Sequence, residues 1–374
     1  MENIKRCTRC VMDNRSDQTI TFDENGYCNY CTEALSRKDK VYFPNEIGQK
    51  KLEEMIARLK RENKNNKYDC LMGISGGLDS SYLAYLGAAK WGLRILAVHI
   101  DDGFDEEVAV RNIQKLCQKT TIDLKVVTPN AEQFNDLTRA LFFAGVPNLA
   151  APQDNVLFEC LYSIAKQTGV RSFLSGGNFA LESILQRGNT HDAFDKKNIM
   201  DIHRRFGRVP LKDIRLLSNQ RLAWDKYILK IETLKPLDYI DYNRERAIQE
   251  LYDFCGFAYY GSKHLENKLT KFIQLYYFYH KFGVDKRTSH LSSMIVSDQM
   301  TREKALEELE KPLYDEAEMQ RDIRIVMDKL QISQDEFDRV MHEAPKQHSD
   351  YKTSSFNERK RSVGRMLRKL HLKK

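Results

Sequence analysis

The chain has 374 residues, 41% of them hydrophobic and 30% charged, and its formal net charge is +7. Its length is sufficient for two domains, and no segment approaches 18 consecutive apolar residues, so no transmembrane helix is expected. Residues 351–374 carry a net charge of +8, so the remainder sums to −1. The basicity therefore belongs to a tail, and the nearly neutral body argues against a nucleic-acid-binding protein.

Residues 1–40 contain two C-x-x-C pairs, Cys7/Cys10 and Cys28/Cys31, with 17 residues between the pairs. Each pair can place two thiolates on one metal ion, and the spacing predicts a Zn²⁺ site like that of a zinc ribbon. An iron–sulfur cluster or a redox pair is the alternative. A site with four sulfur ligands has no open position, so we expect no catalytic role for it. The start of the chain lacks an apolar signal core, which predicts a cytoplasmic protein with reduced thiols.

Apolar and amphipathic segments alternate over residues 68–186, after a predicted helix at 45–66. The predicted strands are 68–74, 93–100, 122–128 and 170–174. The predicted helices between them are 79–91, 105–119, 131–143 and 155–168. A last strand and helix are expected within 230–256. This alternation predicts an α/β fold with a parallel sheet covered on both faces, and ligands at the carboxyl ends of its strands.

The stretch Ser75-Gly76-Gly77-Leu78-Asp79-Ser80 lies between the first predicted strand and its helix. The glycines permit a sharp turn, and the serine hydroxyls and free N–H groups of the helix start can donate to phosphate oxygens. Asp79 adds a negative charge to this loop, which suits a site where Mg²⁺ accompanies the phosphates. The pattern differs from the Walker sequence. A glycine turn that binds nothing is the alternative interpretation.

This S-G-G-x-D-S pattern resembles the PP-loop of the ATP pyrophosphatases. The resemblance implies cleavage of ATP between the α and β phosphates, transfer of AMP to a carbonyl oxygen, and displacement of AMP by a nucleophile. It also implies that Ser75, Gly76, Gly77 and Ser80 bind ATP, with Asp79 close to Mg²⁺.

Two more turns follow predicted strands, at Asp101-Asp102-Gly103 and at 175–178. Because the carboxyl ends of parallel strands lie at one edge of a sheet, we expect all three turns to converge on one site. The resemblance implies that Asp101, Asp102 and Gly103 border the adenosine. It also implies that Asn178 and Glu182, one helical turn apart, face the reacting centre.

Several stretches together resemble the N-acetyl sugar amidotransferases of bacterial O-antigen and other surface-polysaccharide synthesis. They are the four-cysteine element, SGGLDSS, LSGGNFALES at 174–183, GSKHLENKLTKF at 261–272 and DKRTSHLSSMIVSDQMTREKAL at 285–306. The resemblance covers Cys7 to about residue 310, with one departure at Asp298, where glycine is expected. It implies conversion of the acetamido group of a nucleotide-activated sugar into an acetamidino group. The ammonia would come from a separate glutaminase with a cyclase-like subunit.

The candidate groups for binding the sugar nucleotide or for proton transfer are His264, Glu266, Asn267, Lys286, Arg287 and His290, with His264 as a further catalytic candidate. Each of them has a structural polar role as its alternative. They belong to a predicted helical substrate-binding region at 257–350, which follows a PP-loop domain at 41–256. Within that domain, the basic insertion at 187–229 is interpreted either as a cap whose arginines meet the substrate diphosphate or as a solvated helical face.

Two other functions are consistent with parts of the sequence. A tRNA thiolation enzyme can also combine a cysteine-rich element with a PP-loop, and the basic tail favours it. The neutral body and the lack of a further C-x-x-C pair among Cys70, Cys117, Cys160 and Cys255 argue against it. A non-catalytic adaptor that binds ATP or zinc is the third possibility, and the intact SGGLDSS stretch argues against that.

Overall fold

A five-stranded parallel sheet lies at the centre of the computed structural model, which describes residues 4–261 and 265–356. Its strands are β1 (Cys70–Gly73), β2 (Ile95–Ile100), β3 (Asp123–Val127), β4 (Ser172–Leu174) and β5 (Glu232–Leu234). Their order is β3-β2-β1-β4-β5, and every neighbouring pair is parallel. The chain therefore grows outward on one side of β1 and then on the other. This reversal places the topological switch point between β1 and β4, where ligands bind in such sheets.

The burial of each strand follows its place in the sheet. In β1 and β2, Leu71, Met72, Ala97 and Val98 are fully buried, because helices cover both faces of the central strands. The edge strand β3 is different, and its Val126 is 52% exposed. The predicted α/β class is confirmed, although each strand is shorter than its apolar run.

Sixteen α-helices lie within the described residues. They are α1 (Asn29–Val41), α2 (Glu46–Glu62), α3 (Leu78–Tyr85), α4 (Glu107–Lys119), α5 (Ala131–Phe143), α6 (Ala151–Thr168), α7 (Phe179–Glu182), α8 (Lys196–Phe206), α9 (Asn219–Tyr227), α10 (Arg244–Cys255), α11 (Lys268–Lys271), α12 (Phe278–Phe282), α13 (Arg287–Val296), α14 (Arg302–Glu310), α15 (Glu316–Leu330) and α16 (Gln334–His342). Side chains cap many of them, and Asn45 for example accepts from the N–H groups of Ile47 and Gly48 at the start of α2.

The helix predicted at 79–91 is interrupted, since α3 ends at Tyr85 and continues as one π-helical turn, Leu86–Lys90. Gly87 lies in this turn, and a Cβ there would be 2.7 Å from Cδ1 of Ile95. The wider turn thus brings the helix close to β2 at a position where only glycine fits without a shift.

The C-terminal region is helical, as predicted. An aromatic core joins Phe142 of α5 and Phe337 of α16 to the rings of Phe272 and Tyr277, which lie on the π-helical segment Phe272–Tyr277 between α11 and α12. Phe142 and Phe337 stack with their ring centroids 5.6 Å apart. No helix within 4–261 or 265–356 is both long and apolar enough to cross a membrane.

Candidate active site

The S-G-G-L-D-S stretch forms a tight loop between β1 and α3. Gly76 has φ of +75°, and a Cβ at this position would lie 2.3 Å from the carbonyl oxygen of Ala109. Any other residue would be strained there and would also collide with the backbone of α4. Gly77 is the N-cap of α3, so the first N–H groups of the helix follow directly. The loop therefore has the geometry of an anion cradle.

The two serine hydroxyls of the loop face each other. Ser75 Oγ and Ser80 Oγ are 3.3 Å apart, and Ser80 Oγ also accepts from the backbone N–H of Ser75 at 3.3 Å. The backbone N–H of Gly77 donates to Ser75 Oγ at 3.2 Å. These contacts hold both hydroxyls together at the carboxyl end of β1.

A second S-G-G turn packs against this loop. The N–H of Gly177 donates to Ser175 Oγ at 3.2 Å, which repeats the contact between Gly77 and Ser75. A Cβ on Gly176 would be 3.1 Å from the backbone nitrogen of Ser80. The predicted convergence of the turns after β1 and β4 is therefore present, and it depends on a glycine at the contact.

The structure separates the two residues predicted to face the reacting centre. Glu182 lines the cavity described below, whereas Asn178 does not. The side chain of Asn178 is buried and caps α7, accepting from Leu181 N at 2.9 Å while donating to the carbonyl of Gly176 at 3.0 Å. Asn178 therefore shapes the turn from behind the cavity wall.

The two aspartates that directly follow β2 also differ in position, since only one of them lies in the cavity wall. Asp102 is buried in the cavity wall, where it accepts from Asn267 Nδ2 at 3.0 Å and from Gln153 Nε2. Burial and then the charge of Asp105 raise the pKa of Asp102. Asp101 and Gly103 do not line the cavity, because Asp101 accepts from the N–H of Gly103 at 3.1 Å and closes a turn outside it. Of the three residues predicted to border adenosine, only Asp102 is positioned for contact.

A buried histidine fixes the same strand end. Nδ1 of His99 lies 2.9 Å from the carbonyl oxygen of Ile74, and Nε2 lies 3.0 Å from Asp105 Oδ2. Since the carbonyl can only accept, Nδ1 carries a proton. Burial lowers the pKa of His99, but the contact with Asp105 outweighs it and the net shift is upward.

These elements enclose a cavity of about 480 Å³ at the switch point of the sheet. Its polar wall includes Ser75, Asp79, Ser80, Asp102, Gln153, Asp154, Glu182, Arg244, Tyr260, Glu266, Asn267 and His290. Its apolar wall includes Ile100, Leu157, Phe158, Leu161, Phe173 and Leu174. Asp154 lines this space, and desolvation of its carboxylate by the surrounding protein raises its pKa to about 6. The volume is that of a typical small-molecule site.

The residues predicted to bind the sugar nucleotide fall into three groups. Glu266, Asn267 and His290 line the cavity. Lys286 and Arg287 do not, and His264 lies outside the described residues.

The two cations outside the cavity wall have partners elsewhere in the protein, and Nζ of Lys286 lies 5.3 Å from the centre of the Phe278 ring. Arg287 pairs with Asp285, and its Nη1 also donates to the carbonyl oxygens of Glu308 and Lys311 at the end of α14. Lys286 is half-buried, and this burial lowers its pKa to about 8 although Asp17 opposes the shift. For Arg287, the alternative structural role is therefore the one that the geometry supports.

The basic insertion does not cap the cavity. Its helix α8 packs against α5, and none of residues 187–229 lines the cavity. The arginines pair with nearby acids, as Arg187 does with Glu33, Arg205 with Asp201, and Arg208 with Glu336. The interpretation as a cap that meets a diphosphate is therefore wrong for this arrangement.

Three cavity contacts were not predicted from the sequence. Tyr242 donates to Asp79 Oδ1, Tyr260 donates to Glu266 Oε2 at 3.1 Å, and Gln153 holds Asp102. None of these residues stands in a recognisable local pattern. The only available signal was the position of Tyr242, a few residues after the predicted last strand.

The four N-terminal cysteines are fully buried, and their sulfur atoms all lie within 4.8 Å of one another. Cys7 and Cys31 sulfurs are 3.8 Å apart, and those of Cys10 and Cys28 are 3.6 Å apart. A tetrahedron with zinc–sulfur bonds of about 2.3 Å has edges of about 3.8 Å. The group could therefore hold one metal ion. A cubane cluster would spread the sulfurs further, because each cysteine would bind a different iron.

This cysteine element is attached to the helices next to the cavity. Arg302 donates to the carbonyl oxygens of Cys10 at 3.1 Å and Cys7 at 2.9 Å. The N–H of Val11 donates to Ser292 Oγ at 3.1 Å. Ser292 lies on α13, the helix that also carries His290 into the cavity wall. Folding of the cysteine element and placement of that histidine are thus linked by direct contacts.

Residues 266–366 match the family described as "LPS biosynthesis protein WbpG-like, C-terminal domain". The matched range begins at Glu266 and includes Asn267 and His290 of the cavity wall. The match confirms, for this part of the chain, the resemblance to proteins of bacterial surface-polysaccharide synthesis.

Other similarities are more distant. An uncharacterized protein of Methanocaldococcus jannaschii is 23% identical over 308 residues, which are 82% of this chain and 94% of that protein. The NMN synthetase of Francisella tularensis is similar over 77% of this chain and 97% of its own, with 13% identity and a TM-score of 0.34. The U34-tRNA thiolase NcsA of Methanococcus maripaludis, solved with its 4Fe–4S cluster, is similar over 82% and 89%, with 15% identity and a TM-score of 0.33. With identities and TM-scores this low, neither structure supports a conclusion about the activity of this protein.

Proposed function

We propose that this protein is an ATP-dependent amidotransferase that converts the acetamido group of a nucleotide-activated sugar into an acetamidino group. Its pathway is the synthesis of a bacterial surface polysaccharide such as O-antigen, and its compartment is the cytoplasm. The observation that carries the proposal is that one cavity joins the S-G-G-L-D-S loop to Glu266, Asn267 and His290 of the WbpG-like region. The loop that we propose binds ATP and three residues of the range that matches the LPS biosynthesis family thus line the same cavity.

In this proposal the loop holds the phosphates of ATP. Ser75, Gly77 and Ser80 donate to the phosphate oxygens, aided by the N–H groups at the start of α3. Asp79 offers carboxylate oxygens at the same place, which is the donor type that Mg²⁺ prefers. A Mg²⁺ ion held there would neutralise phosphate charge and so favour the departure of pyrophosphate.

The reaction has two steps. The acetamido oxygen attacks the α-phosphorus of ATP, and the bond from that phosphorus to the bridging oxygen breaks, which releases pyrophosphate. Ammonia then adds to the activated carbon and loses a proton, and the carbon–oxygen bond breaks so that AMP leaves with the former amide oxygen. Glu182 and His290 are the cavity residues assigned to proton transfer, and Asn267 is assigned to sugar binding. The role predicted for His264 stays a prediction.

The same proposal divides the chain into four parts. Residues 1–40 form the Zn²⁺-binding element and residues 41–256 the PP-loop domain, with its insertion at 187–229. Residues 257–350 form the substrate-binding region, and residues 351–374 are a basic tail. A tRNA thiolation enzyme is less well supported, because Cys70, Cys117, Cys160 and Cys255, which all lie in the described residues, do not line the cavity.

The test is incubation of the full-length protein with ATP, Mg²⁺, ammonium and a panel of nucleotide-activated acetamido sugars, followed by mass spectrometry. The expected products are AMP, pyrophosphate and a sugar nucleotide in which NH replaces one oxygen. Asp79→Asn is the matched variant, and it should lose turnover and remain folded. Formation of ADP would contradict the ATP pyrophosphatase chemistry, and AMP without an amidine would contradict the sugar amidotransferase.

A further inference from the structure

The carboxylate of Glu266 lies directly on the phosphate-binding loop. Its Oε1 accepts from Ser75 Oγ at 3.0 Å, and its Oε2 accepts from the hydroxyl of Tyr260 at 3.1 Å. A Cβ placed on Gly77 would lie only 2.7 Å from the same Oε1. The carboxylate therefore covers the serine hydroxyl and the glycine backbone that a phosphate group would have to reach.

This position is one that suits an anion. Among the residues that the structure describes, hydroxyl groups and not cations hold both oxygens of Glu266. Burial raises the pKa of Tyr260 most, the charge of Glu266 and its hydrogen bond raise it further, and the charge of Asp79 on the same loop adds a smaller effect. The tyrosine therefore stays protonated and donates. A carboxylate that accepts from the donors of an anion cradle imitates a phosphate group.

The backbone around Glu266 is fixed, which limits how the carboxylate can leave. The carbonyl of Glu266 accepts from Glu106 N at 2.9 Å, and Lys268 N donates to the carbonyl of Phe104 at 2.7 Å. The side chain of Asn267 donates to Asp102 and Asp105 at 3.0 and 3.2 Å. Rotation of the Glu266 side chain alone would free the loop.

We propose that Glu266 is an internal competitor for the phosphate site. In the nucleotide-free protein its carboxylate occupies the place of a phosphate group, and ATP binds when the side chain rotates away. This inference rests on the proposed function in one respect, namely that the loop binds the phosphates of ATP. Since Glu266 is the first residue of the WbpG-like region, its rotation also changes the cavity wall on that side when nucleotide enters.

The test is calorimetric titration of the full-length protein with inorganic pyrophosphate and with ATP, each with Mg²⁺. Glu266→Gln removes the charge, and Glu266→Asp keeps the charge on a side chain too short to reach Ser75. The matched control is Glu107→Gln, which removes one charge from a side chain that is 90% exposed nearby. Thermal unfolding of each variant confirms that it is folded.

Both Glu266 variants are expected to bind pyrophosphate more tightly than the wild type, with about a tenfold gain for Glu266→Gln, or about 1.4 kcal/mol. Glu107→Gln should bind as the wild type does. Unchanged or weaker binding by Glu266→Gln would overturn this inference and leave the proposed function standing. It would show that Glu266 either has no effect on phosphate binding or contributes to it. If neither the wild type nor any variant binds ATP or pyrophosphate, the proposed function fails with it.

Discussion

The hydroxyl of Tyr242 donates a hydrogen bond to Oδ1 of Asp79, although 163 residues separate them in the sequence. Tyr242 is 1% exposed, and burial, followed by the charge of Asp79, raises its pKa well above the ordinary value. It therefore remains a donor throughout the physiological pH range. This contact orients the carboxylate that we assign to Mg²⁺.

The first prediction is that Tyr242→Phe weakens the response to Mg²⁺. Loss of a hydrogen bond to a charged group costs about 1.5–3 kcal/mol, so the Mg²⁺ concentration for half-maximal ATP turnover should rise roughly tenfold or more. Tyr82→Phe is the control, because the ring of Tyr82 lies 5.6 Å from that of Tyr242 and its hydroxyl donates to Glu250. An equal Mg²⁺ response in the two variants would show that the hydroxyl of Tyr242 does not position Asp79.

The second prediction concerns the cysteine element. Metal analysis should find one zinc ion per chain, and Cys28→Ser should lower both the zinc content and the midpoint of thermal unfolding, because such sites couple binding to folding. Cys255→Ser is the control, since this buried thiol lies outside the cluster. Iron with an absorbing cluster in anaerobically purified protein would contradict zinc. Full stability and metal content in Cys28→Ser would contradict a four-cysteine site.

The sequence could predict the features that depend on neighbouring residues. The cysteine pairs, the S-G-G-L-D-S loop and the alternation of strands and helices all carry local patterns, and the structure contains each of them. The order of the strands in the sheet could not be predicted in this way, because hydrophobic periodicity does not specify which strands pair. The contact between Ser75 and Glu266 spans 191 residues, and no local pattern could indicate it.

Arg287 illustrates the limit for single residues. A guanidinium group has five N–H donors, and carbonyl oxygens at a helix end satisfy them as well as a diphosphate does. The residues next to Arg287 in the sequence do not distinguish a structural role from binding of a diphosphate. Only the position of α14, whose last carbonyls accept from Arg287, distinguishes a structural role from substrate binding.

The third prediction concerns acid stability and His348, which is 3% exposed. Asn148 N donates to its Nε2 at 3.2 Å, so Nδ1 carries the proton and donates to Asn198 at 2.6 Å. His191 stacks on its ring at 4.4 Å, and Asp195 pairs with His191. Burial, then the charge of His191, lowers the pKa of His348 to about 3, while Asp195 opposes the shift.

The sign of the pH effect follows from these pKa values. Below about pH 6.5 an unfolded histidine takes up a proton, whereas the folded one resists until about pH 3, so acid favours unfolding. Between neutral pH and about pH 4, this effect lowers the free energy of unfolding by on the order of 2–3 kcal/mol. Urea unfolding across this range should show a smaller loss for His348→Gln than for the wild type. His342→Gln, at an exposed site, should keep the wild-type loss, and equal losses in all three proteins would contradict the role of His348.

The last prediction concerns the source of ammonia. The proposed reaction needs NH₃. Near neutral pH almost all ammonia is protonated to ammonium, which has no lone pair and is not a nucleophile. The eight thiols, all of which lie in described residues, do not line the cavity, so none of them can act as a glutaminase nucleophile beside the proposed reacting centre. The family that the sequence resembles takes its ammonia from a separate glutaminase. We therefore expect a separate glutaminase, with a cyclase-like subunit, to supply ammonia.

The purified chain should form the amidine with high ammonium, faster as the pH is raised, and should not form it with glutamine. Addition of the partner should restore the use of glutamine, and Cys255→Ser should behave as the wild type in both assays, because its thiol does not line the cavity. The measurement is the amount of amidine product by mass spectrometry, with glutaminase contamination excluded by a direct assay for glutamate. Glutamine-dependent amidine formation by the single chain would refute the need for a partner.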